Sequence, residues 1–411
     1  MARIAFFVDA EYGHLAATFE IAGYLKDQGH QIAYFATTAA EAMIREQGFD
    51  FVPILTSLRG GRFAPRLESL LELNAEGSPA LLTPASLCAA LISDEALDAV
   101  VDSFQPDLFI TLSLFCTEGV ILKYRYLKPV VLLRSHCVSL RRRTAARHIV
   151  AARTQFLSPQ GTRQLLEMLN QAGPDVRDAS GVAELVLRMP ELVVLPEGFA
   201  NIPGDSEQDG VFYVGGWTAR SKHWSTHPLI ERLDPSRKLI YCSLGSQYYP
   251  DGESITLFQS LIDVVAEKED WEAVISIGRL DPEQLQRRSA SVHLVPWAPQ
   301  LAVLARSAAM ISHGGSGTVA QCILSGVPVV IFPVNRDNFD CADLVVRRGL
   351  GLRGNLKEAS PSAIRYLLDT VLGKDSFRTR AAEVAEKFRR LGPEPALRII
   401  EAALNAGADQ A

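Results

Sequence analysis

One stretch of the chain combines a histidine with glycines in a spacing that suits anion binding. Residues 310–322 read MISHGGSGTVAQC, an apolar run followed by His313 and by three glycines within four positions. Glycine lets the backbone turn tightly and approach a ligand without a Cβ atom in the way. A helix starting near Gly317 or Thr318 points its unpaired N–H groups and the positive end of its dipole at that turn. The pattern predicts a diphosphate site, to which His313 adds a hydrogen bond, or a charge if its pKa is raised.

The neighbouring strand ends carry side chains that suit a base and a polyol. In WAPQ, Trp297 offers a flat face to a base and Gln300 offers an amide to ribose or base edges. In RDNFDCAD, Asp337 and Asn338 can accept from and donate to hydroxyls. Tight turns need glycine and cores contain tryptophan, so each feature alone leaves a structural role open. The turn is not a P-loop, because no Gly-Lys-Ser/Thr follows, and it lacks the G-x-G-x-x-G order.

Both halves of the chain alternate short apolar runs with helical segments, which is typical of an α/β protein with parallel sheets. In the first half, the strand RIAFFV, the helical LAATFEIAGYLKDQ with Gly29 as its C-cap, and the strand QIAYFAT form one βαβ unit. The predicted strands of the second half are KLIYCSLGS (238–246), WEAVISIG (271–278), VHLVPW (292–297), AAMISHGG (308–315) and PVVIFP (328–333). Ligands of such doubly wound sheets bind outside the carboxyl ends of the strands.

The length of 411 residues predicts two domains. We assign residues 1–215 to the first domain and 237–390 to the second. The linker, 216–236, adjoins a segment rich in Gly, Pro and acids. The final helix, within about 390–411, has apolar positions at helical spacing and must pack against another element, for which the first domain is one candidate.

Composition narrows the class of partners. A net charge of -6 gives no field that would hold a polyanion, so no nucleic-acid partner is expected. One basic stretch, from Arg134 to Arg153, contains no Asp or Glu. It is either a solvated face or a contact for an anionic acceptor or a membrane surface.

The remaining bulk features favour a cytoplasmic protein. No window offers 18 apolar residues, so no transmembrane segment is expected, and the N-terminal apolar run is too short for a signal peptide. Six cysteines lack C-x-x-C spacing and are interpreted as reduced core residues. They are Cys88, Cys116, Cys137, Cys242, Cys322 and Cys341.

The segment 297–343 resembles the signature of the family 1 glycosyltransferases, which have the GT-B fold and use nucleotide-sugar donors. That signature runs W-x-P-Q, H-G-G-x-(N/G)-(S/T)-x-x-E, G-V-P and P-x-x-x-D-Q-x-x-N-A. LDPSRKLIYCSLGS and GHLAATFEIAGYLKDQGHQIAYFAT extend the likeness to both domains. The chain is most similar to the bacterial natural-product and macrolide type. The resemblance implies two Rossmann-like domains facing a central cleft.

The resemblance also implies roles for individual residues in donor binding. For the base and ribose they are Trp297, which stacks on uracil or thymine, the Ala298 backbone, Gln300 and Gln321. For the diphosphate they are Ser246, Gln247, His313, Gly315, Ser316, Gly317 and Thr318. For the sugar they are Asp337 and Asn338.

The resemblance makes His14, in the first β-α loop, the general base. A neutral imidazole near pH 7 can take the proton of an acceptor hydroxyl as its oxygen attacks the anomeric carbon. The configuration at that carbon then inverts. No metal and no cofactor are expected, because the helix N-terminus and His313 stabilise the departing charge.

The chain departs from the family pattern near the base. Many members pair the histidine with an Asp after a later strand, where this chain has Thr, Leu and Ser at 111–113. Glu118, Asp9 and Glu11 are the alternative acids for orienting His14, and a backbone partner is another option.

The donor site departs from the pattern too. Gln321 replaces the usual glutamate, and in DNFDCA the usual Gln and Asn are Asn338 and Cys341. Fewer or shorter contacts disfavour plain glucose and favour a deoxysugar donor.

These features predict an inverting transferase that moves a sugar from a UDP- or dTDP-sugar to a hydroxyl of a small lipophilic acceptor. Loops near 55–100 and 134–165 are expected to form the acceptor pocket. One alternative is a donor-binding helper protein that has lost catalysis. A nucleotide-sugar epimerase is the weaker alternative, because it would lack the W-x-P-Q block together with the G-H loop. Monomer and homodimer both stay open.

Overall fold

The structure is a computed structural model. It describes residues 1–55, 84–93, 95–135, 142–155, 157–195, 210–215, 228–245, 252–286, 289–334 and 336–408. Within them lie two parallel β-sheets with helices around each, which confirms the α/β class.

The first sheet has seven strands in the spatial order β3-β2-β1-β4-β5-β6-β7, and every neighbouring pair is parallel. The strands are β1 (Arg3–Phe7), β2 (Gln31–Ala36), β3 (Asp50–Pro53), β4 (Leu108–Leu112), β5 (Val130–Arg134), β6 (Glu191–Val193) and β7 (Val211–Tyr213). The helices are α1 (Tyr12–Asp27), α2 (Glu41–Glu46), α3 (Pro84–Ser93), α4 (Glu95–Phe104), α5 (Cys116–Tyr126), α6 (Arg142–Thr154), α7 (Pro159–Gln171) and α8 (Ala179–Val186).

The second sheet has six strands in the order β10-β9-β8-β11-β12-β13, again all parallel. The strands are β8 (Lys238–Ser243), β9 (Trp271–Ser276), β10 (Val292–Val295), β11 (Ser307–Ser312), β12 (Val329–Ile331) and β13 (Gly351–Arg353). The helices are α9 (Pro228–Glu231), α10 (Gly252–Ala266), α11 (Gln300–Leu304), α12 (Ser316–Leu324), α13 (Arg336–Arg347), α14 (Pro361–Gly373), α15 (Asp375–Leu391) and α16 (Glu394–Ala408). All five strands predicted for this half are present, with bounds that differ from the prediction by a few residues.

The order of the strands fixes where each domain can bind a ligand. In the first sheet β2 and β3 lie on one side of β1, whereas β4 and the later strands lie on its other side. In the second sheet β9 and β10 lie on one side of β8, whereas β11 and the later strands lie on its other side. Such switch points leave a crevice outside the carboxyl ends of the two strands. The segments after β1, β4, β8 and β11 therefore line the two crevices.

The central strands are apolar on both faces because helices cover both sides of the sheets. Phe6 and Tyr34 are fully buried and stack with ring centroids 5.0 Å apart. In the second domain, Tyr241 and Ile311 are likewise buried. The buried strands therefore hold their carboxyl ends rigidly in place.

The last helix, α16, packs against β4 and β5 of the first sheet. Its residues Ala396, Leu397 and Ile400 belong to the core of that domain. A methyl group on Gly407 would lie 2.8 Å from Pro129, so the contact is close. The chain therefore returns to the first domain after completing the second.

Two stretches predicted as pocket loops are partly helical. Residues 84–104 contain α3 and α4, and residues 142–171 contain α6 and α7. Apolar residues such as Leu91 and Val150 bury one face of these helices, so burial rather than loop chemistry decides their structure. Residues 56–83 lie outside the described residues.

The cysteine prediction can be examined at five positions, because Cys137 lies outside the described residues. The five are free, buried thiols: Cys88, Cys116, Cys242, Cys322 and Cys341. Burial raises the pKa of Cys116 to about 12. Among the described helices, none is both long enough and apolar enough to cross a bilayer.

Candidate functional site

His14 lies in the first turn of α1 and not in the loop before it, where the sequence had placed it. The backbone N–H groups of His14 and Leu15 both donate to the carbonyl of Glu11 at 3.0 Å, so the helical turn starts at Glu11. Only four residues separate the end of β1 from the start of α1. The imidazole is therefore fixed at the carboxyl end of the central strand.

Asp9 is the acid that contacts His14. Its Oδ1 atom lies 2.8 Å from Nδ1 of the imidazole, and the side chains of His14 and Asp9 are 29% and 3% exposed. With Nδ1–H donated to the carboxylate, the lone pair of Nε2 is left for a substrate proton. Burial lowers the pKa of His14, but the bond to Asp9 and the charges of Asp9, Glu11 and Asp337 outweigh it and raise that pKa.

The positions where the family's acid was sought are used otherwise. The Thr111 hydroxyl donates to the Phe7 carbonyl at 2.7 Å, and the Ser113 hydroxyl donates to Glu191 at 2.6 Å. Leu112 is apolar and buried. Glu118 accepts a hydrogen bond from Cys88 and lies beside Arg153. Of the three acids that the sequence offered for orienting His14, Asp9 is the one seen to form a hydrogen bond with the imidazole.

Asp337 belongs to the second domain and lies near His14. It lies in the first turn of α13, close enough for its charge to raise the pKa of His14. Asn338 beside it is 2% exposed, and its amide donates to the Asp337 carboxylate at 3.3 Å. The two residues predicted to contact the sugar are therefore bonded to each other, and their contact with a sugar stays a prediction.

The glycine-rich turn follows β11 as predicted, and α12 begins at Ser316, one residue before the predicted range. The first-turn N–H groups of Ser316, Gly317 and Thr318 have no carbonyl within the helix to bond. Gly314 has φ +94°, and a methyl group there would lie 2.7 Å from Ile331. Glycine is required at that position for both reasons.

The ring of His313 fills the space between two backbone segments. A methyl group on Gly245, after β8, would lie 2.6 Å from the ring, and one on Gly315 would lie 2.7 Å from it. The Nδ1 atom of His313 is buried and has no hydrogen-bond partner among the described residues. Burial lowers the pKa of His313 to about 4. Of the two predicted contributions, the structure favours a hydrogen bond from a neutral ring.

One hydrogen bond joins the two domains beside this turn. The hydroxyl of Ser316, at the start of α12, donates to the carbonyl of Ser135 at 2.6 Å. Ser135 directly follows β5 of the first sheet. The N-terminus of α12 therefore faces the first domain across the cleft.

The residues predicted for base and ribose adjoin the turn. Trp297 is 49% exposed, while Ala298 is buried. The amide nitrogen of Gln300 donates to Gln321 at 2.5 Å and to Thr318 at 3.3 Å. Its oxygen accepts from the Tyr241 hydroxyl at 3.4 Å. Tyr241 had not been singled out from the sequence. Ser246 and Gln247 lie outside the described residues.

The arginines of the basic stretch are paired with acids distant in sequence. The pairs among the described residues are Arg134 and Arg142 with Glu191, Arg143 and Arg147 with Glu184, and Arg153 with Glu118. Arg134 and Arg142 are buried, and Arg153 is nearly so. The described arginines of the stretch are therefore neither a fully solvated face nor an open anion site, and Arg141 lies outside the described residues.

Among the described residues, no three His, Cys, Asp or Glu side chains cluster closely enough to hold a metal ion. The chemistry available in the described cleft is that of an imidazole with its carboxylate on one side and a helix N-terminus with a neutral imidazole on the other. An imidazole that can act as a base in one domain and a helix N-terminus that can bind an anion in the other suit group transfer from a phosphorylated donor.

Comparison with known proteins agrees with this geometry. Residues 259–400 match the model of the erythromycin biosynthesis protein CIII-like C-terminal domain. The NDP-glycosyltransferase YjiC of Bacillus subtilis (strain 168) is 24% identical over 392 residues, which are 93% of this chain and 92% of YjiC. The structure of the glycotransferase of kitacinnamycin has a TM-score of 0.76 at 22% identity and covers 98% of both chains.

A second solved structure includes a nucleotide. The glycosyltransferase VinC in complex with DTDP has a TM-score of 0.69 at 21% identity, with coverage of 98% of this chain and 99% of VinC. Fold, family match and relatives all lead to the same class. The chain has the GT-B fold, and it is similar to glycosyltransferases of the macrolide and natural-product type.

Proposed function

We propose that the protein is an inverting glycosyltransferase that moves a sugar from a nucleoside-diphosphate sugar to a hydroxyl of a small lipophilic acceptor. The observation that carries the proposal is the 2.8 Å contact between His14 and Asp9 at the cleft. A carboxylate in contact with His14 disfavours the alternative of a helper protein that has lost catalysis. The epimerase reading gains no support from the same geometry.

In the proposed reaction Nε2 of His14 takes the proton of the acceptor hydroxyl. The hydroxyl oxygen forms a bond to the anomeric carbon while the bond from that carbon to the diphosphate oxygen breaks. Attack from the face opposite the leaving group inverts the anomeric configuration. Asp9 stabilises the imidazolium that results, because its charge favours the protonated ring.

The leaving diphosphate is proposed to rest on the N-terminus of α12. The N–H groups of Ser316, Gly317 and Thr318 are unpaired within the helix, and the helix dipole favours negative charge there. His313, neutral because burial lowers its pKa to about 4, would donate one hydrogen bond. We propose that this arrangement needs no metal, so that turnover persists in excess EDTA.

For the donor nucleotide we propose that a deoxyribose is accepted. Gln321 Oε1 already accepts from Gln300, so Gln321 offers the ligand its N–H groups and no charged acceptor. A carboxylate at that position would favour ribose hydroxyls as donors more strongly. The complex of the neighbour VinC with DTDP supports a thymidine nucleotide.

The donor proposal is tested by comparing UDP- and dTDP-linked forms of one sugar with the wild type and Gln321→Glu. We expect the ratio of kcat/KM for dTDP-sugar over UDP-sugar to fall about 10-fold in the variant. An unchanged ratio would remove Gln321 from nucleotide selection.

The function itself is tested by incubating the protein with a panel of nucleotide sugars and lipophilic aglycones. Release of nucleoside diphosphate would be coupled to formation of a glycoside, whose anomeric configuration NMR shows to be opposite to the donor's. Donor binding without turnover across the panel would favour the helper protein. Exchange of solvent deuterium into the sugar without acceptor would favour the epimerase.

A further inference from the structure

A second buried charge pair lies behind the His14–Asp9 pair. Glu118, in α5, is completely buried, and its Oε1 atom lies 3.5 Å from Nε of Arg153 in α6. The side chain of Arg153 is 13% exposed. Burying an ion pair is costly, so a pair kept at this place calls for an explanation beyond stability.

Arg153 reaches the base through one aromatic ring. Its guanidinium lies over the ring of Phe115, 5.4 Å from the centroid, and also donates to the carbonyl of Leu114 at 2.9 Å. Phe115 in turn meets the imidazole of His14 edge-on, with ring centroids 6.3 Å apart and planes at 89°. The segment after β4 is thus held by Arg153 and packs against His14.

The pair also affects the charge near Asp9. Burial raises the pKa of Glu118 and the charge of Asp9 raises it further, whereas Arg153 lowers it. Glu118 and Asp9 are therefore close enough to repel one another. The other titratable groups facing Glu118 are the neutral thiols of Cys88 and Cys116.

The charges that face His14 itself come from both domains. They are Asp9, Glu11 and Asp337, all acidic. The negative charge of Glu118 would add to this field if Glu118 had no cationic partner. The positive charge of the Arg153 guanidinium offsets that negative charge. Arginine suits the position because its planar fork can stack on a ring, pair with a carboxylate and bond a carbonyl at once, which an ammonium cannot.

We propose that Arg153 is a positioning residue for the general base, holding the His14 ring through Phe115 and balancing the charge of Glu118 beside Asp9. The proposal rests on the proposed role of His14. Arg153 is thereby given two effects, one on the orientation of the His14 ring and one on the charge around that ring.

The test uses the full chain labelled with 13C-histidine and follows the pKa of His14 by NMR, with His14→Gln identifying its signal. Glu118→Gln leaves the cation of Arg153 unbalanced, so the pKa of His14 should fall by about half a unit or more. In the double variant Glu118→Gln/Arg153→Met both charges are gone, and the pKa should return to within about 0.2 units of the wild-type value.

Turnover gives the second readout. In the double variant kcat should stay about 10-fold or more below wild type with an unchanged KM for the donor, because Phe115 has lost its support. Arg143→Met is the matched control, since Arg143 lies on the same helix in an exposed pair with Glu184. It should leave the pKa of His14 and kcat unchanged.

A pKa of His14 that is the same in the wild type and in Glu118→Gln would overturn the proposal. Wild-type kcat in the double variant would overturn it as well. The NMR titration needs no substrate, so the predicted pKa shifts together with turnover that does not depend on His14 would instead reject the proposed function.

Discussion

The Nδ1 atom of His14 lies 2.8 Å from the Oδ1 atom of Asp9, with Asp9 in the connection after β1 and His14 in the first turn of α1. Asp9 follows the central strand of the sheet by two residues and is almost fully buried. The acid is thereby held by the most rigid part of the domain. The two members of the pair are five positions apart in the chain, so one β-strand end and the helix after it hold both.

Asp9→Asn should reduce kcat by about 10-fold or more, because the neutral amide no longer stabilises the imidazolium. His14 acts as a base only when neutral, so kcat falls as the pH drops through its pKa. Asp9 raises that pKa, and the variant should therefore move the acidic limb of the pH–rate profile to lower pH.

The measurement for Asp9→Asn is kcat against pH from about 5 to 9 at saturating donor and acceptor. Glu41→Gln is a suitable control, because Glu41 forms an exposed pair with Arg45 on α2. If Asp9→Asn kept the wild-type pH–rate profile, Asp9 would have no influence on the pKa of His14.

Gly245→Ala should weaken donor binding by about 10-fold or more. Gly245 has φ +87°, and an added methyl group would lie 2.6 Å from the ring of His313. The ring would therefore be displaced from the glycine-rich turn after β11. Calorimetric titration with UDP and dTDP measures the effect. Gly373→Ala, whose methyl group meets nothing within 4 Å, serves as the control. Equal affinity in both variants would contradict this account of the turn.

Glu191→Ala should lower the free energy of unfolding by about 3 kcal/mol, because it leaves two buried arginines without their carboxylate. Glu184→Ala removes the partner of two exposed arginines and should cost less than about 1 kcal/mol. Guanidinium chloride unfolding followed by tryptophan fluorescence and circular dichroism compares them. Losses of the same size would show that burial of the Glu191 pairs has no energetic weight.

Much of the fold could be predicted from the sequence because its signals are local. Apolar runs ended by glycine or proline predicted the strands of the second domain, and the glycine-rich turn predicted the start of α12 to within one residue. His313 was placed correctly beside that turn. Its protonation could not be predicted, since the pKa depends on burial, and residues as distant in the chain as Gly245, 68 positions earlier, lie against the ring.

The remaining features depend on contacts between distant segments. The basic stretch looked unpaired because Glu184 and Glu191 follow it by dozens of residues, and no pattern within the stretch indicates them. The contact between Ser316 and Ser135 spans 181 positions. Asp9 was one of three acids near His14 in the prediction, and spacing alone could not select it, because the side-chain direction at the end of β1 decides which one contacts the ring.

The central claim is that His14 is the general base, and the turnover of His14→Ala tests it most directly. Initial rates of nucleoside diphosphate release are measured at saturating donor and acceptor, with donor affinity determined separately by calorimetry. We expect kcat to fall about 100-fold or more while the Kd for the donor stays within about 2-fold of wild type. Wild-type turnover in His14→Ala would contradict the account.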